Sequence, residues 1–226
     1  MNKKPMLLIS FYSPKALGIR YLEKSLKKAG YPVYIIFLKT FNSKNPCNVT
    51  EYELELVKDV VNQVKPGIIG LSVMTTLYLE TVYTINEYLK ANFDIPILWG
   101  GVYPTLFPGK SLEHADLVIR GEGEKAVVEL ADALFCNTGY ENIKNLAYRK
   151  VDARNKGAVI VNDIRPLCQD LDEYGFPEIG GDNKFFINNN KLEMEDPQLN
   201  SISYELATSR GCPFSCSYCS SANLLR

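Results

Sequence analysis

Histidine occurs once in this 226-residue chain, and neither sign of charge prevails: 25 basic side chains face 26 acidic ones, for a formal net charge of −1. Without a basic field nothing attracts a phosphate backbone or an anionic membrane surface, which argues against nucleic acid and membranes as partners. Long apolar runs are absent too, since no stretch approaches the ~18 residues a membrane span needs. The N-terminal apolar run, Met6 to Tyr12, is too short for a secretion signal and ends sharply at Ser-Pro-Lys, so it reads as a first buried strand. A cytoplasmic protein is expected, where thiols stay reduced and clustered cysteines bind metal or do redox chemistry more often than they staple a fold.

What is present is a regular alternation. Short apolar runs at 6–12, 33–38, 68–74, 95–101 and 116–123 are separated by longer amphipathic segments. Each run is apolar on both faces, as a sandwiched parallel strand must be, and the order reads as βαβ units. Leu17, Tyr21, Leu22, Leu26 and Ala29 form one helical stripe with Gly30 placed to end it. Thr50 and Glu53 form a capping box before a stripe of Leu54, Val57, Val61 and Val64, and Pro66 stops that helix. Further helices are expected from about Leu77 to Asn92 and after Gly123. The fold class that follows is α/β, a doubly wound, flavodoxin-like (Rossmann-like) five-stranded parallel sheet over residues 1–140. Residues 145–162 read as a β-hairpin, an excursion from the main sheet, and 163–200 as a polar linker crossing a surface. "SISYELATSR" reads as a new strand running into a cysteine loop.

Ligands of doubly wound sheets sit beyond the carboxyl ends of the strands. Those ends read "SVMTT", "GGVYPT" and "GEGE", small, hydroxylated or glycine residues that let a large ligand approach the backbone. Turn-making and helix capping would explain any one of them; three on neighbouring strands point to a site. The crevice would contain few ionisable groups, which suits holding a ligand better than acid–base chemistry.

Cys212, Cys216 and Cys219 have the spacing C-x3-C-x2-C. Three thiolates on one loop can each hold one iron of a [4Fe–4S] cube and leave the fourth iron open for substrate or cofactor. A structural zinc wants a fourth ligand, for which Cys47, Cys136, Cys168 and His114 are the candidates, none in a ribbon-like spacing. A redox disulfide within the loop has no resolving partner, and thiols clustered by chance are the remaining alternative.

"RGCPFSCSYCS", with Tyr218 before the last cysteine, resembles the cluster loop of the radical S-adenosylmethionine (radical SAM) superfamily. The preceding domain is similar to the cobalamin-binding domains fused to one branch of it, with "GLSVMTT", "GGVYPT" and "ADLVIRGEGE" in the expected order. The resemblance implies a cluster on Cys212, Cys216 and Cys219 that binds S-adenosylmethionine and cleaves it to a 5′-deoxyadenosyl radical. It implies cobalamin on the N-terminal domain for methyl transfer or cyclisation, a small-molecule substrate, and an electron donor of flavodoxin or ferredoxin type. Ser72, Thr75, Thr76, Gly100, Gly101, Val102, Pro104, Thr105, Gly121, Glu122, Gly123 and Glu124 are the implied cobalamin residues, and Tyr218 belongs to the SAM loop. Relatives that ligate cobalt through histidine carry D-x-H-x-x-G after the first strand, whereas this chain has Ser13, Lys15 and Gly18 in those slots. Lysine has no lone pair when protonated, so cobalamin without a protein histidine ligand is expected. His114 is expected at a solvated surface position, and Tyr103 at the corrin edge or in solvent. A radical SAM barrel needs roughly 200 residues, and seven follow Cys219. The expectation is a cofactor domain (1–140), a hairpin and linker (141–202) and a truncated radical SAM start (203–226) that is catalytically silent alone. The alternative is a domain that has lost cobalamin and serves as a scaffold or interaction module.

Overall fold

The computed structural model describes residues 3–41, 48–150, 157–214 and 216–220. Five strands form where the apolar runs predict them: β1 (Met6–Phe11), β2 (Val33–Leu38), β3 (Ile68–Ser72), β4 (Ile97–Gly100) and β5 (Leu117–Ile119). They alternate with α1 (Leu17–Lys28), α2 (Glu51–Val64), α3 (Leu79–Asn92), the short pair α4 (Val102–Leu106) and α5 (Pro108–Ser111), and α6 (Glu124–Phe135). The strand order β2-β1-β3-β4-β5 is all parallel, the flavodoxin order.

Alternation along each strand divides the core into two layers. Leu7, Ile9, Ile36, Ile69, Leu71, Trp99 and Val118 pack with Val57, Val60, Val61, Val82, Ile85 and Leu89 of α2 and α3. Met6, Leu8, Ile35, Phe37, Leu98, Leu117 and Ile119 pack with Ile19, Leu26, Val127 and Leu130 of α1 and α6. Local signals set the helix ends. Thr50 accepts from the Glu53 backbone N–H at 3.1 Å while the Glu53 carboxylate accepts from Thr50 N–H, and Lys65 closes α2 in the left-handed conformation before Pro66. Burial pushes the Glu53 carboxyl up, but the hydrogen bonds from Lys39 (2.8 Å) and the Thr50 N–H outweigh it and hold it below the usual carboxylate range. One side chain thus caps α2 and fixes the end of β2.

The segments read as an excursion and a linker are corrected by the structure. The 145–162 hairpin forms, but β6 (Leu146–Lys150) pairs antiparallel with β5, and β7 (Ala158–Val161) pairs with β6, so the hairpin extends the main sheet. Within 163–200, β8 (Lys184–Asn188) adds in parallel beside β2, and β9 (Lys191–Glu193) turns back antiparallel. Asn189 and Asn190, at φ 50° and 59°, make the two-residue turn that joins them, a type I′ signature hidden in "NNNK". Nine strands therefore share one sheet among the described residues, ordered β7-β6-β5-β4-β3-β1-β2-β8-β9. The strand expected in "SISYELATSR" does not form among the described residues: that segment runs as irregular chain over α1, with Ile202, Tyr204 and Leu206 exposed. Its contacts go to side chains and isolated carbonyls, such as Ala207 N–H to the Tyr21 hydroxyl at 3.3 Å, and not to a strand edge.

Buried charge holds the returning segment. Arg20 of α1 donates twice to Asp196, both at 2.7 Å, and once to the Glu178 carbonyl at 3.0 Å. Both side chains of the pair are almost wholly buried, and Arg20 lies over the Phe37 ring. Asp196 also accepts from Gly180 and Gln198 N–H, at 2.9 Å each. Burial raises its pKa, but the bonds from Arg20, Gln198 and Gly180 prevail and hold it below 3.8. Beside it, Glu23 accepts from Asn183 at 2.7 Å and Lys184 at 3.1 Å.

Removing one partner of such a pair strands the other charge in the core. Asp196→Ala is therefore expected to cost about 3–5 kcal/mol in denaturant unfolding, more than Lys90→Ala at the exposed Lys90–Asp116 pair. Because the folded carboxyl is depressed, its contribution is complete above its unfolded value of 3.8 and fades as pH falls through the lower folded value. Asp196→Asn should accordingly flatten the acid limb of the stability–pH curve.

Candidate cofactor site

Register creates the site. Leu8, Gly70, Leu98 and Leu117 are neighbours across β1, β3, β4 and β5, and one step further along the strands stand Ser10, Ser72, Gly100 and Ile119. Both rows face α1 and α6, and at β3 and β4 they offer two glycines and a serine where a core strand would offer bulk. The missing side chains leave a cleft of about 360 Å³ beneath the two helices. Leu8, Gly70 and Leu98 line its floor, Leu17, Ile19 and Leu22 one wall, and Val127 the other. A Cβ at Gly70 would come within 2.8 Å of Leu8 Cδ2, so a side chain there would have to displace that methyl and project into the cleft.

The loops after the strands close one end. Val73 N–H donates to Gly100 O at 2.7 Å and Tyr103 N–H to Val73 O at 3.1 Å, so the turns after β3 and β4 lie against each other. Gly101 has φ +113°, and a Cβ there would sit 2.7 Å from the Val73 carbonyl oxygen, which only glycine tolerates. Buried Thr105 accepts from Gly121 N–H at 2.9 Å and donates to Gly101 O at 2.7 Å, tying "GGVYPT" to "GEGE". Asn145, just before β6, donates to Arg120 O at 2.7 Å and to Glu122 O at 3.3 Å, which secures the same turn from the other side.

Of the residues singled out in the sequence, Ser72, Gly100, Gly101, Val102, Thr105, Gly121, Glu122, Gly123 and Glu124 do line the cleft. Thr75 and Thr76 stand in the turn beyond it, where the Thr75 hydroxyl accepts from Leu77 N–H at 3.2 Å, and Pro104 is buried within α4. Residues the sequence reading passed over supply the floor and walls, Leu8, Gly70, Leu98, Ile19 and Val127. The signal available was the glycine inside an otherwise apolar strand, "IIGLS".

Two aromatic expectations are corrected. Tyr103 is neither in solvent nor among the residues that line the cleft; it is buried, and burial together with its hydrogen bond to Tyr83 pushes its hydroxyl up to about 12. His114 is half-buried and stacked, 4.2 Å from the Tyr83 ring and parallel to Trp99 at 5.9 Å, in the layer on the far side of the sheet from the cleft.

Charge enters the cleft only at its mouth. Glu122 and Glu124 turn their carboxylates to Arg210, with contacts of 3.0 and 2.5 Å. Beyond that arginine, Cys212 and Cys216 are exposed and Cys219 half-buried, with Cys219 N–H donating to Cys216 O at 3.2 Å. Tyr218 is 90% exposed. Among the described residues no three His, Cys, Asp or Glu side chains converge to hold a metal ion. Cys47, a candidate fourth ligand in the zinc reading, lies outside the described residues.

An apolar slot under two helices, opening at the carboxyl ends of parallel strands and rimmed by backbone and small hydroxyls, defines an α/β domain built to hold a large, partly apolar cofactor. The B12 binding domain family matches residues 8–131, and the chain belongs to that family. It is 29% identical over 171 residues to an uncharacterized methyltransferase of Pyrococcus horikoshii, covering 74% of this chain and 34% of that one. To the anaerobic magnesium-protoporphyrin IX monomethyl ester cyclase of Rubrivivax gelatinosus it is 26% identical over 212 residues, 89% of this chain and 34% of the relative. The chain thus spans about a third of the length of these curated relatives. The same fold occurs in the radical S-adenosylmethionine methyltransferase TsrM of Kitasatospora setae, solved with cobalamin and a [4Fe–4S] cluster, at a TM-score of 0.56 and 16% identity over 78% of this chain and 31% of that one. It also occurs in the cobalamin-dependent S-adenosylmethionine radical enzyme OxsB, at 0.54 and 19% over 74% and 23%. The resemblance drawn from the motifs is borne out at the level of the family and the fold. Among the described residues no helix is long and apolar enough to cross a membrane.

Gly101→Ala is expected to destabilise the chain by roughly 1–3 kcal/mol, because it combines the left-handed backbone with a clash against Val73. Gly109→Ala, whose Cβ would meet nothing within 4 Å, serves as the neutral control in the same thermal melt.

Proposed function

We propose that this chain is the cobalamin-holding unit of a larger cobalamin-dependent radical SAM enzyme that methylates or cyclises a small molecule in the cytoplasm. The observation that carries the reading is the double row of small residues under α1 and α6, inside a domain of the B12-binding family. The slot suits the flat, apolar base of cobalamin's nucleotide tail, with Leu8, Gly70 and Leu98 beneath it and Ile19 and Val127 at its sides. Ser72 and the backbone of Gly100, Gly101 and Val102 would meet the ribose phosphate and the corrin amides, while Met74, exposed at the rim, gives the corrin an apolar seat. Bound there, cobalamin supplies a cobalt centre able to carry a methyl group or assist ring chemistry, and the chain supplies position and exclusion of water.

No protein side chain sits beneath the cobalt in this reading. Lys15, in the slot where ligating relatives carry histidine, donates to Ser203 Oγ at 2.5 Å and pairs with Glu205 at 3.9 Å. The C-x3-C-x2-C spacing of Cys212, Cys216 and Cys219 supports a [4Fe–4S] cluster that binds S-adenosylmethionine and is reduced by a flavodoxin or ferredoxin.

Titrating the purified chain with hydroxocobalamin is expected to shift the corrin spectrum at micromolar concentrations; no shift would instead support a scaffold domain. Gly70→Val, which fills the floor of the slot, should weaken binding about ten-fold or more, the order of a pocket lost to a side chain. The Co(II) form should show no nitrogen superhyperfine splitting from a lower axial protein ligand in its electron paramagnetic resonance spectrum, and such splitting would overturn the ligand-free assignment.

A further inference from the structure

Glu122 and Glu124 were expected to contact cofactor, yet their carboxylates are occupied by one side chain from far along the sequence. Arg210 Nη1 lies 3.0 Å from Glu122 Oε1, and Nη2 lies 2.5 Å from Glu124 Oε1. Its guanidinium is held between the rings of Tyr21 and Tyr174, at 5.1 and 5.0 Å, and the side chain is only 18% exposed. The other Glu122 oxygen accepts from Cys168 N–H at 2.8 Å, so the acid is itself fixed in place. Tyr21 belongs to α1 and Glu124 to α6, the two walls of the cleft, and Arg210 and Ala207 line its mouth. Two residues later comes Cys212, with Gly211 at φ +96° between them.

We propose that Arg210 is a latch that closes the cleft between α1 and α6 and, through its place in the chain, couples cofactor occupancy to the position of the cysteine loop. Physically, a planar guanidinium with two carboxylates and two aromatic faces has one well-defined seat, and it fixes the chain two residues before Cys212. A molecule filling the cleft rests against the underside of that seat and favours the closed latch. Linkage then requires that a closed latch favour retention of the molecule to the same degree. Arg210 is a positioning residue in this scheme and touches no reacting atom. That the occupant is cobalamin rests on the reading above, whereas the latch itself stands on the geometry of this chain.

Trypsin reads the latch directly, because cleavage after Arg210 requires its guanidinium to leave the glutamates and enter the protease. In the cobalamin-free chain, the bond after Arg210 should be cut slowly relative to exposed lysines such as Lys191. Glu122→Gln combined with Glu124→Gln keeps the shape and removes the charge, and should speed that cut about ten-fold or more, as expected for loss of a partly buried ion pair. Equal rates in the two proteins, both shown folded by their thermal melts, would overturn the latch. Hydroxocobalamin should slow the cut further in the parent chain, by roughly five-fold or more, and much less in the double variant. Spectral binding without a change in the Arg210 cut would overturn the coupling. Failure of the corrin spectrum to shift at all would instead count against cobalamin as occupant and leave the first comparison to decide the latch.

Discussion

The structure depends on a constraint of parallel-sheet register: residues that pair across β1, β3 and β4 share a face, so one glycine or serine in each strand adds to a trough. Gly70 alone would be a local weakness in β3. Aligned with Leu8 and Leu98, and one step from Ser10, Ser72 and Gly100, it becomes part of a floor. The helices α1 and α6 span that floor because their apolar stripes have the rest of the same face to pack on. The cleft is thus an omission from a core that is otherwise fully built.

Polar interactions then decide what surrounds the omission. Segment 176–198 is rich in turn residues, yet it adds a parallel strand because Phe185 and Ile187 enter the core while Arg20 with Asp196, and Glu23 with Asn183 and Lys184, fasten it to α1. Arg210 repeats the device at the mouth of the cleft. Successive stretches of the later chain are therefore tied to α1 and to the start of α6, the two walls of the site. Occupancy, helix position and the path toward the cysteine loop become parts of one mechanical unit.

The site residues divide along physical lines. Those that make the turns, Gly101, Thr105 and Gly121, were recognisable because turn chemistry is local and leaves residue types at fixed offsets. The floor residue Gly70 was not singled out because its importance lies in what stands beside it on other strands. Tyr103 was misplaced because an aromatic next to a glycine turn looks exposed until Tyr83 of another helix covers it. The glutamates of "GEGE" drew notice as part of a motif, but their partner lies 86 and 88 residues away.

By itself the sequence determined the five parallel strands, their helices, the capping box of α2 and the B12-binding identity of the domain. All of these are carried by periodicity, caps and short motifs that act over a few residues. Tertiary structure alone decided that β6 to β9 join the same sheet, that small residues on separate strands align into a slot, and that Arg210 pairs with Glu122 and Glu124 at its mouth. The reason is that register and ion pairing between distant segments are settled by which surfaces remain unsatisfied once the local elements have formed, and no local pattern records that.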